Sequence, residues 1–281
     1  MQQEIIPHLF RTEYRKIVAV LCKRFGFNQL ETAEDIASDT FLAAAQLWPL
    51  RGIPAQPTAW LYQVAKNKAL NHFQRRQLFA AKIAPLLQLE SLEEGAYQID
   101  LSEENILDSQ LRMIFAICNP LLSAEAQIAM ALRVLCGFGV EEIAAAFLSN
   151  KETIQKRLTR AKEKLRAANL PLECPSEAMM QDRLQNVLKT LYLLFNEGYY
   201  SHSNELLRKD LCLEAMRLTQ MLVDHAPTQL PEVYALLALM CFQASRLNAR
   251  KNEWGDIVLY ADQDESQWNQ PLLARGIQLL H

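Results

Sequence analysis

The stretch that most constrains the fold of this chain is residues 140–166, which have the pattern of two helices separated by a tight break. The first helix is short with one apolar face, and the break falls at Leu148, Ser149 and Asn150. In the second helix, apolar residues recur at steps of four, three and four, so that one stripe can pack inward: Ile154, Leu158, Ala161 and Leu165. We therefore predict a helix-turn-helix hairpin.

The other faces of the second helix are crowded with cations. Two acids, Glu152 and Glu163, stand among seven basic residues: Lys151, Lys156, Arg157, Arg160, Lys162, Lys164 and Arg166. The local charge is +5, whereas the whole chain carries −3. A basic second helix suits insertion into a DNA major groove, with phosphates on either side of it. This segment favours DNA binding, and an ordinary helical hairpin with a solvated basic face is the alternative.

The composition predicts an all-helical protein of about two domains. Only 8 of the 281 residues are glycine and half are apolar, so helices with buried faces can form. The six cysteines lie far apart with no histidine at ligand spacing, which predicts core thiols rather than disulfides or a zinc site. Charged residues interrupt the first apolar residues of the chain, which argues against a signal peptide, and no apolar run approaches membrane-spanning length. We expect a cytosolic protein.

Charge along the chain is arranged in blocks. Residues 40–89 hold six cations and no acid, and residues 90–108 hold seven acids and no lysine or arginine. The basic helix of 140–166 follows. Two basic surfaces separated by an acidic connector indicate a polyanionic partner that is contacted at two places.

Helical periodicity also predicts the remaining elements. The predicted helices are 5–24, from near Thr32 to Pro49, 58–78, 109–120, 123–136, 179–195, 209–225 and 231–249. Pro49 is expected to end the second of these, and Ser123 to act as an N-cap. The acidic stretch 90–108 is interpreted as a linker with partial helix, and the pattern gives no firm prediction for 252–271.

Four segments, in this order, resemble the extracytoplasmic-function group of bacterial RNA polymerase sigma factors, the initiation subunits that guide the polymerase core to promoters. AEDIASDTFLAAAQLWP (33–49) resembles the family's polymerase-binding helix. PTAWLYQVAKNKALNHFQRRQ (57–77) resembles the helix that reads the upstream edge of the melted minus-ten element. Residues 111–166 resemble the domain that binds the minus-thirty-five element. The remainder, especially 191–218 and 236–264, resembles the tetratricopeptide-like helical extension of one sigma subgroup.

The resemblance implies a domain order and a set of partners. Two small helical DNA-binding domains, 1–85 and 109–170, would be joined by an acidic linker, 86–108, and followed by a helical extension, 171–281, which we expect to be incomplete. The implied partners are the RNA polymerase core enzyme and promoter DNA, with a regulatory protein acting through the extension as a further candidate. No cofactor, metal site, membrane contact or catalytic residue is expected.

The resemblance also assigns roles to residues of the first domain. Asp35 and Asp39 would lie on one face of the polymerase-docking helix, although acids in a first turn otherwise only complement the helix dipole. Trp60 and Tyr62 are interpreted as core residues rather than as platforms for stacked bases. The minus-ten element would contact the loop 51–58 and the helix after it through Arg51, Gln56, Thr58, Lys66, Asn67, Asn71, His72, Arg75 and Arg76.

In the helix-turn-helix, position on the helix separates two roles. The residues that face away from the apolar stripe near its start are candidates to read bases of the minus-thirty-five element: Lys151, Glu152, Gln155, Lys156 and Thr159. The candidates for phosphate contacts are Arg157, Arg160 and Lys164.

Several alternatives remain open at the level of sequence. The acidic linker can imitate RNA, shield the basic domains from stray DNA, or form a solvated tether. A one-component helix-turn-helix regulator would bind duplex DNA unaided and would not need the segments between 33 and 77. A helical interaction scaffold would use its basic helices only as solvated faces.

Overall fold

A computed structural model describes residues 2–83, 99–168, 172–200, 205–250 and 257–281 of the chain. These residues form helices joined by turns, with no strand among them, which confirms the all-α prediction. The helices are α1 (Gln2–Phe25), α2 (Leu30–Arg51), α3 (Pro57–Ile83), α4 (Glu103–Ile117), α5 (Ala124–Met130), α6 (Val140–Ala146), α7 (Lys151–Ala167), α8 (Glu177–Tyr200), α9 (Glu205–Val223), α10 (Pro231–Ser245) and α11 (Gln270–Leu280).

The end of α2 differs from the prediction. The helix continues through Pro49 to Arg51, so the expectation that Pro49 ends it is wrong. Proline already has a helical φ, and in the last turn its missing N–H removes only one bond of the ladder. Gly52 ends the helix instead, with a φ of 84° that favours glycine and an N–H donated to the Trp48 carbonyl at 2.9 Å.

The next two helices also have different limits. Helix α4 begins at Glu103, so the last six residues of the predicted linker are helical, and acids in the first turn complement the helix dipole. The acidic residues 90–98 lie outside the described part of the chain. The predicted helix 123–136 is α5 followed by a π-helical turn, Ala131–Leu135. Ser123 is its N-cap, as predicted, and accepts the Ala126 N–H at 3.4 Å.

Contacts divide the chain into two compact units. The first unit contains Met1–Ala116, Val134–Gly137 and Leu165–Glu173. In it α1, α2 and α3 pack on one another around a core that includes Tyr14, Ile17, Leu21, Ile36, Phe41, Leu61, Ala65 and Ala69. Lys23 of α1 pairs with Asp108 of α4, and Arg112 pairs with the same carboxylate at 2.8 Å. Helix α4 is thereby tied to α1.

The second unit contains Ile117–Arg133, Phe138–Lys164 and Cys174–His281. Helices α5, α6 and α7 form the predicted helix-turn-helix region, and α8, α9, α10 and α11 follow, each packed on its neighbour in the chain. Helix α11, which was not predicted, lies close to α10 because Gly276 faces the Phe242 ring. An added Cβ there would lie 2.6 Å from a ring carbon. Helices α5 and α6 contact α8 and α9 respectively.

Candidate nucleic-acid interface

A tight turn after α6 sets the direction of α7. Asn150 caps α7, its Oδ1 accepting the Thr153 N–H at 2.7 Å. The Ser149 N–H closes the end of α6 on the Ala144 carbonyl at 2.9 Å. In the turn between the two helices, Leu148 has a φ of 46°, which lies in the left-handed region that a residue with a Cβ adopts only at a cost in free energy. The break predicted at residues 148–150 is confirmed.

Leu148→Gly is expected to raise the free energy of unfolding by about 1 kcal/mol, because glycine adopts this backbone conformation without strain. Little burial is lost, since Leu148 is 73% exposed. Leu148→Ala is the matched control: it removes the same apolar atoms but keeps the Cβ that causes the strain. Chemical unfolding followed by circular dichroism measures both variants. A glycine variant no more stable than the alanine variant would contradict the strain assigned to this turn.

Helix α7 presents two distinct faces. The predicted inward stripe of Ile154, Leu158, Ala161 and Leu165 is buried, as expected. The opposite faces expose seven of the eight residues predicted to contact the minus-thirty-five element: Lys151, Glu152, Gln155, Lys156, Thr159, Arg160 and Lys164. Arg157 is half-buried. The side chains predicted to read bases and most of those predicted to bind phosphates are therefore accessible.

A groove of about 360 Å³ runs between α7 and the start of α5. Four cations of α7 line it: Lys156, Arg157, Arg160 and Lys164. Leu122, Ser123 and Ala126 form the uncharged wall opposite. A narrow groove with cations along one wall can hold a phosphate by charge-assisted hydrogen bonds. We call this feature the basic groove.

Two contacts that the sequence analysis missed restrain cations of α7. The Arg157 guanidinium lies over the ring of Phe147, 5.4 Å from its centroid, which directs the side chain. Lys151 donates to Glu141 Oε1 at 2.6 Å. This hydrogen bond raises the pKa of Lys151 and lowers the pKa of Glu141. An acid ten positions upstream, across a turn, gives no periodic signal in the sequence.

Glu141→Gln is expected to strengthen binding to duplex DNA about twofold at low salt, because Lys151 then loses the carboxylate to which it is hydrogen-bonded. One additional phosphate contact would steepen the dependence of log affinity on log salt by about 0.9. Glu163→Gln is the control: it removes one exposed negative charge from α7 itself without releasing Lys151. Fluorescence anisotropy over a salt series measures both. Equal salt slopes for the two variants would show that Glu141 does not restrain Lys151.

Helix α2 exposes a mixed acidic and apolar face. Asp35 and Asp39 are exposed, and Asp39 has a distant contact with Lys68 at 3.9 Å. Leu42 lies on the same face, seven positions after Asp35, and is 55% exposed. An exposed leucine beside two carboxylates can act as an apolar anchor, and the sequence analysis did not single it out although its spacing places it opposite the buried stripe of α2.

The minus-ten candidates lie on α3 and on the loop before it. Arg51, Gln56, Asn67, Asn71, His72 and Arg75 are exposed, and Thr58 and Lys66 are half-buried. The side chain of Arg76 lies outside the described part of the structure. Asn67 accepts a hydrogen bond from Gln63 at 3.0 Å on the exposed face. These residues supply amides and cations along α3 and the loop before it, and such cations can hold the phosphates of a single strand.

Trp60 and Tyr62 of α3 face the protein instead. Trp60 packs edge to face on Trp48, with ring centroids 5.5 Å apart. The Tyr62 hydroxyl donates to Glu13, and burial together with this bond raises the pKa of Tyr62 above its ordinary range. Both residues are half-buried and contact neighbouring side chains, so they lie at the edge of the core rather than inside it.

In the described part of the chain, three or more histidine, cysteine or acidic side chains do not come together as metal ligands would. None of the helices described there combines the length and the apolar character needed to span a bilayer. Five of the six cysteine side chains are buried.

Two family models match the chain. Sigma-70 region 2 matches residues 9–79, which include most of α1, all of α2 and nearly all of α3. A family of unknown function (DUF6596) matches residues 183–281, from within α8 to the end of α11.

Curated relatives extend these matches. An uncharacterized protein of Rhizobium meliloti (strain 1021) is 35% identical over 257 residues, which are 90% of this chain and 60% of that protein. The chain thus spans three fifths of the length of this relative. The ECF RNA polymerase sigma-E factors of Escherichia coli (strain K12) and Salmonella typhi are each 31% identical over 161 residues, 56% of this chain and 82% of theirs. No solved structure matches the chain significantly.

Proposed function

The chain belongs to the extracytoplasmic-function group of RNA polymerase sigma factors, and we propose on this basis that it directs the core polymerase to specific promoters and assists initiation. The observation that carries the proposal is that the sigma-70 region 2 match covers α1–α3, and a helix-turn-helix with a basic, exposed second helix follows in the same chain. Such a protein would act in the cytoplasm, where the polymerase and DNA are.

The docking surface of the proposal is the exposed face of α2. Asp35 and Asp39 would pair with basic groups of the polymerase, and Leu42, which follows them on the same face, would pack against an apolar part of its surface. A partly apolar centre with charges around it is the usual composition of a specific protein interface. The sigma-70 region 2 match, which includes all of α2, supports this assignment.

Two separate surfaces would contact promoter DNA. The exposed amides and cations of α3 and the loop 51–58 would hold the opened minus-ten element. The exposed face of α7 would read the minus-thirty-five element, and the basic groove would grip a phosphate. We propose that these roles divide the chain at 1–85, 86–108, 109–170 and 171–281, with the second segment as a connector.

In vitro transcription with bacterial core polymerase on a pool of random promoters tests the proposal. Core polymerase with the protein is expected to give transcripts from a sequence-defined subset of the pool. Core polymerase without the protein is expected to give none from that subset. A one-component regulator would bind duplex members of the pool without the core enzyme but would start no transcripts. A helical scaffold would show neither activity nor sequence preference. Either of the last two results would overturn the proposal.

A further inference from the structure

A buried chain of hydrogen bonds joins α8 to the wall of the basic groove. Gln127 of α5 is 7% exposed and Thr190 of α8 is 2% exposed. The Thr190 hydroxyl donates to Gln127 Oε1 at 2.7 Å. Gln127 Nε2 in turn donates to the main-chain carbonyls of Asn119, at 2.9 Å, and Leu122, at 3.0 Å. All four residues belong to the second compact unit.

The chemistry of the partners fixes the direction of these bonds. Main-chain carbonyls can only accept, so the amide nitrogen of Gln127 faces them and its oxygen faces Thr190. The Asn186 carbonyl, 2.9 Å away, is the other acceptor near the Thr190 hydroxyl, but it also takes part in the backbone ladder of α8. Burial raises the pKa of the nearby Cys118 thiol to about 12, so this thiol adds no charge beside the chain of bonds.

The carbonyls that Gln127 holds lie in the loop 119–122, which leads into α5. Leu122 and Ser123 form part of the uncharged wall of the basic groove, opposite Lys156 and Arg160. Gln127 therefore fixes the position of this wall, and Thr190 fixes Gln127. The consequence is that a residue of α8, outside the helix-turn-helix, sets the width of the groove beside the recognition helix.

We propose that Thr190 and Gln127 are positioning residues for DNA binding, through which α8 holds the basic groove at the width that fits a phosphate. This rests on the DNA-binding role proposed for α7, and it makes α8 a structural part of the DNA-binding module. Charge-assisted hydrogen bonds have short, well-defined lengths, so a displaced wall would remove a phosphate contact without changing any cation.

Thr190→Val tests the proposal, because valine has nearly the shape of threonine but no hydroxyl to donate to Gln127. The affinity for a short mixed-sequence duplex, measured by fluorescence anisotropy, is expected to fall about fivefold, because one hydrogen bond between the protein and a phosphate is no longer made. The salt slope is expected to fall by about 0.9, the value for one phosphate contact. Hydrogen exchange of the unbound protein is expected to speed up in residues 119–126.

Two variants separate positioning from general stability. Thr190→Ser keeps the hydroxyl and is expected to retain the wild-type affinity and salt slope. Thr219→Val removes an equally buried hydroxyl from α9, which bonds to the Ala215 carbonyl at 2.8 Å. It should lower the melting temperature without changing DNA affinity. If Thr190→Val melts too early for binding to be measured, Gln127→Met tests the same chain of bonds from α5.

The outcomes distinguish the inference from the function on which it rests. Wild-type protein that does not bind the duplex would overturn the DNA-binding role of α7 and this inference with it. If the wild-type protein binds the duplex, and the Thr190→Val and Thr219→Val proteins bind it with equal affinity, then the inference is overturned but the DNA-binding role of α7 is not. Unchanged exchange in residues 119–126 of the Thr190→Val protein would likewise show that Thr190 does not hold the wall.

Discussion

Leu42→Lys is expected to lower the affinity of the protein for the RNA polymerase core by about thirtyfold, the loss that follows from removing an interface anchor worth about 2 kcal/mol. Leu42 follows Asp35 and Asp39 on the exposed face of α2, and an exposed leucine there would be covered on binding. A lysine would also bring a positive charge to the basic groups that these carboxylates would pair with. Competition for labelled core enzyme measures the change.

Leu107→Lys is the matched control for this prediction. Leu107 belongs to the same compact unit, is 47% exposed on α4, and receives the same substitution. It is expected to keep the wild-type affinity for the core enzyme. If both lysine variants lose affinity equally, then the effect comes from charge or folding and the α2 face is not the docking surface.

Gln155→Ala and Arg160→Ala are expected to change promoter use in different ways. Gln155 is exposed on α7, where an amide can make two hydrogen bonds to one base, a contact worth about 1–3 kcal/mol of discrimination. Its loss should change which upstream elements are preferred. Arg160 lines the basic groove, so its loss should weaken all promoters alike and lower the salt slope by about 1. Transcription from the random promoter pool, read by sequencing, measures both effects.

Lys189→Ala controls for the loss of one positive charge in the same compact unit. Lys189 is exposed on α8 rather than α7, and its substitution is expected to leave promoter preference and salt slope unchanged. A uniform loss for both α7 variants across the pool would contradict the division between base-reading and phosphate-binding residues.

Periodicity predicted those parts of the site that depend on local sequence. The stripe of Ile154 and Leu158 is buried because helical spacing alone decides which face packs inward. The turn at 148–150 and the Ser123 cap were predictable for the same reason, since a cap involves residues three or four positions apart. Gly52, rather than Pro49, ends α2 because a positive φ stops a helix more effectively than a proline in its last turn.

Contacts between distant residues could not be predicted from a single sequence. Gln127 and Thr190 are 63 positions apart, and neither has a neighbour in sequence that marks it as part of a buried hydrogen-bond chain. The stacking of Arg157 on Phe147 depends on the turn between α6 and α7. Helical spacing places Leu42 on the exposed face of α2, but spacing alone does not show that an exposed leucine meets a partner.

Association with bacterial core polymerase tests the central claim most directly. Purified protein and core enzyme, mixed at equal concentration and separated by size-exclusion chromatography, are expected to elute together as a complex with one copy of the protein per polymerase. The Leu42→Lys protein is expected to elute largely apart from the core enzyme. The Leu107→Lys protein is expected to elute together with the core enzyme, as the wild type does. Wild-type protein that elutes apart from the core enzyme, whatever its affinity for DNA, would contradict the assignment as a sigma factor.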